Sequence, residues 1–227
     1  MTVLLFDIDG TLLLSGGAGT RALNSLFLAA YQWKGAMDEV PTAGMTDPLI
    51  VQKVFARFAS RLPSESEISE ILGRYLPLLR DELERDSGFR LMPHMPGVVE
   101  ELAANEKYHL GIATGNTREA ADAKLDKAGM RGLFDFGGYG SDHITREGLV
   151  RAGIDRAEKK LGRKVEPSEV VVIGDTPRDI ESAKANGTRS VGVTTGSSYG
   201  AAELHASGAD LVLDDLQSLP SWLSTQF

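Results

Sequence analysis

A chain of 227 residues, 42% hydrophobic and 25% charged, has the balance of a soluble globular protein and is long enough for one good core plus a modest second module. Its formal net charge of −8, from 24 basic and 32 acidic residues, argues against nucleic acid or an anionic membrane as partner, because both select basic surfaces. The absence of cysteine excludes disulfides, thiolate catalysis and cysteine-ligated zinc. No apolar run approaches the roughly 18 residues of a membrane span, and Asp7 and Asp9 interrupt the apolar start, so no secretory signal is expected and a cytoplasmic location follows by default.

Val3 to Phe6 form a compact apolar run with the pattern of a buried strand, followed by Asp7-Ile8-Asp9-Gly10-Thr11-Leu12-Leu13. Residues i and i+2 of a strand share a side, so Asp7 and Asp9 are expected to project together from its carboxyl end. Two like charges that close need a cation or a proton between them. Ser15-Gly16-Gly17-Ala18-Gly19 suits a hinge. From Thr20 to about Arg85 the pattern is helical: Ala22, Leu23, Leu26 and Phe27; Leu49, Ile50, Val54 and Phe55; Ile68, Ile71, Leu72 and Tyr75; then Leu78, Leu79 and Leu83 beyond Pro77. With Pro41, Pro63 and Pro77 as punctuation, this predicts about four helices and no strand.

The texture changes after Gly88. Gly97 to Asn105 reads as a helix, His109 to Thr114 as a strand, and Asn116 or Thr117 starts a helix that Gly129 closes. A short strand over Phe134 to Tyr139, a helix over Leu149 to Leu161 and a buried strand over Val170 to Ile173 follow. Thr176 caps a further helix with Pro177 in its first position and Gly187 at its end; Ser190 to Thr194 and Leu211 to Leu213 are short strands. Strands alternating with helices imply an α/β fold with a doubly wound parallel sheet, interrupted after its first strand by the helical stretch.

Ligands of such sheets bind beyond the carboxyl ends of the strands. Three strands there end in polar residues: Asp7 and Asp9; Thr114-Gly115-Asn116; and Gly174-Asp175-Thr176-Pro177-Arg178-Asp179. The topology therefore gathers several carboxylates, a hydroxyl and backbone amides in one crevice. Oxygen donors with no cysteine and no spaced histidine pair suit a hard divalent cation, of which Mg²⁺ is the commonest.

Phe6 to Leu13, Ile112 to Asn116 and Gly174 to Asp179 resemble, in order and spacing, three of the four signature motifs of the haloacid dehalogenase superfamily. The resemblance covers nearly the whole chain. It implies a Rossmann-like core over residues 1–15 and 89–227, and a helical cap inserted over 16–88, similar to the layout of phosphoglycolate phosphatases. It further implies that Asp7 is the nucleophile and Asp9 the general acid and base. Asp7, the Asp9 carbonyl and Asp175 would hold Mg²⁺; Gly10, Thr114, Gly115 and Asn116 would surround the phosphate, with Asp179 in support. The expected activity is hydrolysis of a small phosphorylated metabolite through an aspartyl-phosphate. A β-phosphoglucomutase has the same layout, and a binding protein that kept only the fold is the alternative outside enzymes. A dehalogenase is disfavoured, because those enzymes lack the acid–base aspartate found here at Asp9, and a phosphonatase because the cap offers no convincing lysine for a Schiff base, Lys34 and Lys53 being the candidates that stay open.

The fourth motif of the superfamily carries a lysine, often followed by proline, shortly before the last motif. Here that place reads Asp142-His143-Ile144-Thr145-Arg146-Glu147-Gly148-Leu149-Val150, without it. Arg146 is the candidate substitute, since a guanidinium can bridge a carboxylate and a phosphate with fixed geometry. Arg178 and Arg151 are next in line, while Lys159 and Lys160 read as a solvated helix face. Thr46-Asp47-Pro48 starts a cap helix, and the resemblance suggests that it also faces the substrate. His94, His109, His143 and His205 show no ligand spacing and receive no role.

Overall fold

The computed structural model describes residues 1–85, 88–196 and 198–226. Asp86, Ser87, Ser197 and Phe227, which belong to the expected cap and core ranges, lie outside the described residues. In chain order the elements are β1 (Thr2–Phe6), β2 (Leu13–Ser15), α1 (Ala18–Tyr31), α2 (Asp47–Phe58), α3 (Glu65–Glu84), β3 (Phe89–Leu91), α4 (Gly97–Ala103), β4 (Tyr108–Thr114), α5 (Arg118–Lys127), β5 (Phe136–Tyr139), α6 (Arg146–Leu161), β6 (Val170–Gly174), α7 (Pro177–Ala185), β7 (Arg189–Val193), α8 (Ala201–Ala206), β8 (Leu211–Leu213) and α9 (Leu219–Gln226).

Six strands form a parallel sheet in the order β5-β4-β1-β6-β7-β8, with helices on both faces. The alternation of side chains decides which face each residue serves. Leu4 and Phe6 join Leu110, Ile112, Val171 and Ile173 on the side covered by α4, α5 and α9. Val3 and Leu5 join Ala113, Val170 and Val172 against Leu149, Val150 and Ile154 of α6 and Ala183 of α7. Strands buried on both faces read as continuous apolar runs, which is why Val3 to Phe6 and Val170 to Ile173 were legible. The register pairs Phe6 with Ile112 on one side and with Ile173 on the other. Asp7, Thr114 and Asp175 therefore leave the sheet at nearly the same level, around its centre.

Between β2 and β3 run α1, α2 and α3, joined by a core of their own that includes Phe27, Val54, Phe55, Ile71, Tyr75 and Leu79 and reaches Ala120 of α5. Three α-helices, not about four, occupy this segment among the described residues. Pro77 does not divide the third: α3 runs through it, because Ile71, Tyr75, Leu79 and Leu83 fall at four-residue spacing on one continuous buried face. Pro77 itself is exposed, on the side where a helix bent around its core has the most room.

The chain enters and leaves this helical segment through a two-stranded antiparallel ribbon that pairs Leu13 with Leu91 and Ser15 with Phe89. The sequence predicted bare connections there. Strands of three residues are too short to display a period of two. The same brevity concealed α8, and α9 was likewise not anticipated. No helix among the described residues is long and apolar enough to cross a membrane.

Candidate functional site

Asp7 follows β1 directly and donates its N–H to the Ile173 carbonyl at 2.8 Å, so the sheet ladder continues into the site. The chain then turns sharply: the Gly10 N–H bonds the Leu13 carbonyl and the Leu12 N–H bonds that of Ile8. Gly10 has φ +87°, and a Cβ there would lie 2.3 Å from Oδ2 of Asp175. Its expected contribution as a phosphate donor is not available, since its N–H is used inside the turn. What it supplies is backbone freedom and space for Asp175.

The carboxylates of Asp7 and Asp9, two residues apart, face different cations. The Asp7 Oδ2 lies 3.1 Å from Nη2 of Arg146, which also pairs with Asp179 and reaches the Ala113 carbonyl at 3.4 Å. Arg146 begins α6, whose N-terminus is capped by the Thr145 hydroxyl accepting from Gly148, yet its own side chain is only 7% exposed. Asp9 instead accepts from Nζ of Lys124 at 2.5 Å and from Nδ2 of Asn116 at 2.8 Å, both on Oδ2. The Ser15 hydroxyl stands 3.5 Å from its Oδ1.

Thr114 ends β4 fully buried, and its Oγ1 accepts from Nδ2 of Asn116 at 2.8 Å. Asp175 follows β6 directly, and its Oδ1 is buried with no hydrogen-bond partner. Asp179 accepts from the N–H and hydroxyl of Thr176 at 3.0 and 2.7 Å, closing the capping box of α7 while it holds Arg146. Oxygens of Asp7, Asp175 and Asp179 lie within 4.8 Å of one another.

These positions set the electrostatics. Burial pushes the Asp7 carboxyl up to about 6 against the pull of Arg146. Burial, with Asp179 and Asp7 as like-charged neighbours, pushes Asp175 up to about 8. Burial would raise Asp9 as well, but Lys124 and then Asn116 outweigh it and hold that carboxyl below the usual range. For Arg146, burial opposes the charge, and Asp179 and Asp7 more than restore it. The cluster of Asp7, Asp175 and Asp179 thus has one buried guanidinium against three carboxylates. A divalent cation fits this deficit, and the orphaned Oδ1 of Asp175 is a ligand in waiting. Asp179 is the poorer ligand, since its oxygens already serve Thr176 and Arg146. The Asp9 carboxylate is not part of the cluster; only its backbone carbonyl was expected to be a ligand.

The helical segment closes over these groups. The Asp47 N–H donates to the Gly115 carbonyl at 2.7 Å, and the Asp47 Oδ2 accepts from the Thr117 N–H at 2.8 Å. The Thr46 hydroxyl donates to the Ile144 carbonyl at 2.8 Å. This approach requires glycine at 115, where a Cβ would lie 2.1 Å from the Met45 carbonyl oxygen. A cavity of about 240 Å³ remains between the strand ends and the helices, lined by Asp7, Asp9, Asp47, Tyr75, Lys124 and Asp175 among others. Burial pushes the Asp47 carboxyl up to about 6.

Arg178 points elsewhere, with Nη1 3.5 Å from the Ala43 carbonyl. Arg151 pairs with Asp155 on the surface, and Lys159 is exposed. Lys124 was not singled out in the sequence, although a signal was present. Ala120, Ala121, Lys124 and Leu125 form the buried face of α5, and a lysine in an apolar position of an amphipathic helix is seldom idle.

A family model for haloacid dehalogenase-like hydrolases matches residues 1–187. The chain belongs to that family. Among curated members, a phosphoglycolate phosphatase from Rhodospirillum rubrum is 28% identical, over 97% of this chain and 90% of its own length. The validoxylamine A 7'-phosphate phosphatase of Streptomyces hygroscopicus subsp. limoneus is 29% identical, over 94% and 93%. A solved structure described as a predicted phosphoglycolate phosphatase from Haemophilus somnus shares the fold with a TM-score of 0.73, at 21% identity and covering 98% of each chain. The α/β architecture of this haloacid dehalogenase-like hydrolase is therefore the family's own.

Proposed function

We propose that this hydrolase is a phosphatase that transfers the phosphoryl group of a small phosphomonoester to Asp7 and then to water. The observation that carries this reading is the separation of the two aspartates: Asp7 is paired to Arg146 beside an acidic cluster, whereas Asp9 is held by Lys124 and Asn116. Arg146 leaves a cation beside the carboxylate that would attack, and Lys124 with Asn116 holds the other apart from it, ionised as it must be to take a proton from water.

In the first half-reaction an Asp7 oxygen bonds to phosphorus while the bond from phosphorus to the leaving oxygen breaks, and Asp9 gives that oxygen a proton. In the second, Asp9 takes a proton from water as the water oxygen bonds to phosphorus and the bond to Asp7 breaks. Arg146 stabilises charge on Asp7 and on the transferring group, oriented from behind by Asp179. The Thr114 hydroxyl hydrogen and the backbone around Gly115 and Asn116 supply donors to the phosphoryl oxygens. Asp7, the Asp9 carbonyl and Asp175 would hold Mg²⁺, which offsets the negative charge of nucleophile and phosphoryl group when bound.

The helices of residues 16–88 serve as a cap that limits substrate size and excludes bulk water, with the Thr46-Asp47 contacts marking its closed position. Curated relatives at nearly equal identity act on substrates as different as phosphoglycolate and validoxylamine A 7'-phosphate, so membership of the family leaves the leaving group open. A screen of phosphorylated metabolites with Mg²⁺ tests the reading. Turnover of a subset of small phosphomonoesters is expected, and no phosphate release from any of them, or from p-nitrophenyl phosphate, would overturn it.

A further inference from the structure

Lys124 is buried to 4% exposure and lines the cavity, where its ion pair is with Asp9. An ammonium group in such a place costs several kcal/mol unless it is paired, and apolar residues fill the rest of the buried face of α5. Its Nζ donates to Oδ2 of Asp9 at 2.5 Å and to Oδ1 of Asn116 at 2.7 Å. Nδ2 of Asn116 in turn donates to Oδ2 of Asp9 and to Oγ1 of Thr114, each at 2.8 Å. Lysine, asparagine and aspartate close a ring, and Thr114 ties that ring to the end of β4. Both strong donors converge on Oδ2, whereas Oδ1 meets only the Ser15 hydroxyl at 3.5 Å.

We propose that Lys124 is a positioning residue for the reaction: with Asn116 as bridge, it holds Oδ2 of Asp9 so that Oδ1 is the atom that exchanges the proton. The inference rests on the acid–base reading of Asp9. In the forward step the proton passes from Oδ1 to the leaving oxygen as its bond to phosphorus breaks. In hydrolysis a water proton passes to Oδ1 as the water oxygen bonds to phosphorus and the Asp7–phosphorus bond breaks. Arg146 serves the nucleophile and Lys124 serves the proton carrier, through networks that share no side chain.

Rapid-mixing kinetics with p-nitrophenyl phosphate and Mg²⁺ test this, because p-nitrophenolate departs without a proton while release of phosphate from Asp7 still needs Asp9. Lys124→Met should give a burst of about one equivalent of p-nitrophenolate per site at near wild-type rate. Its steady-state turnover should then be slower by about 10²-fold. Lys124→Gln keeps an amide donor toward Asp9 and should recover part of the loss; if the methionine variant does not fold, this variant carries the comparison. Asp9→Asn should show the same burst and slow turnover, and Asp9→Asn/Lys124→Met should be no slower than Asp9→Asn alone. Loss of the burst on changing Lys124, or a multiplicative loss in the double variant, would assign Lys124 to substrate or nucleophile and overturn the proposal. Wild-type turnover in both Lys124 variants overturns it too while leaving Asp9 in its role, whereas wild-type turnover in Asp9→Asn removes the acid–base reading itself.

Discussion

Replacing Arg146 by methionine removes the only cation in contact with Asp7 and Asp179 among the described residues and leaves a side chain of similar reach. At the 3.1 Å separation of Nη2 from Oδ2 of Asp7, an effective dielectric of about 20 gives a gross attraction of about 5 kcal/mol. Desolvating the guanidinium offsets part of that attraction in the wild type. In the variant the carboxylates stay buried, close together and unpaired, and breaking a buried pair from one side typically costs about 3–5 kcal/mol. In urea with chelator present, a loss of 3 kcal/mol at a slope of about 3 kcal/mol/M lowers the midpoint by about 1 M.

Millimolar Mg²⁺ should restore stability more in the variant than in the wild type, because removing the positive charge leaves the acidic cluster more attractive to a cation. Saturation to 100 times the dissociation constant stabilises by about 2.7 kcal/mol. Activity should not return with stability. Loss of one oriented electrostatic contact removes about 2–4 kcal/mol of transition-state stabilisation, a fall of about 30- to 1000-fold in kcat/KM. Arg146→Lys should recover part of that fall. A methionine variant with the wild-type midpoint in chelator would refute the claim that Arg146 balances the charge of this cluster.

Asp7→Asn should lose at least about 10³-fold in kcat and should not form an acid-stable, hydroxylamine-sensitive phosphoprotein, read by mass spectrometry. Chelation with EDTA should abolish phosphate release and added Mg²⁺ should restore it; undiminished turnover in EDTA would remove the metal from the mechanism. Gly115→Ala places a methyl group 2.1 Å from the Met45 carbonyl oxygen, so the 45–47 stretch must retreat. Overpacking of this kind costs about 1–3 kcal/mol, and Tm should fall together with a rise in KM. An unchanged KM would mean that the Met45-to-Asp47 contacts do not bear on substrate binding.

Most strands of the parallel sheet, and the place of Asp7 and Asp175 just beyond two of them, were legible in the sequence for local reasons. An all-apolar run is the signature of a strand buried on both faces, and a carboxylate at its end stands where parallel sheets bind ligands. Arg146 was legible only by position, as the basic residue nearest the place of a missing lysine. Its contact with Asp7 depends on how α6 docks against β4 and β5, which no local pattern states. Pro77 misled, because its intrinsic cost is local whereas the apolar face that carries α3 through it extends along the whole helix.

The β2–β3 ribbon was hidden, since three-residue strands draw their order from a partner 76 residues away rather than from their own alternation. Lys124 is the clearest case of tertiary decision. Its place on the apolar face of α5 is written in the sequence, but its partner Asp9 lies 115 residues earlier. Only the packing of α5 beside the end of β1 brings the buried ammonium within hydrogen-bond distance of the half-buried Asp9 carboxylate, and without that partner Lys124 would not be tolerated there.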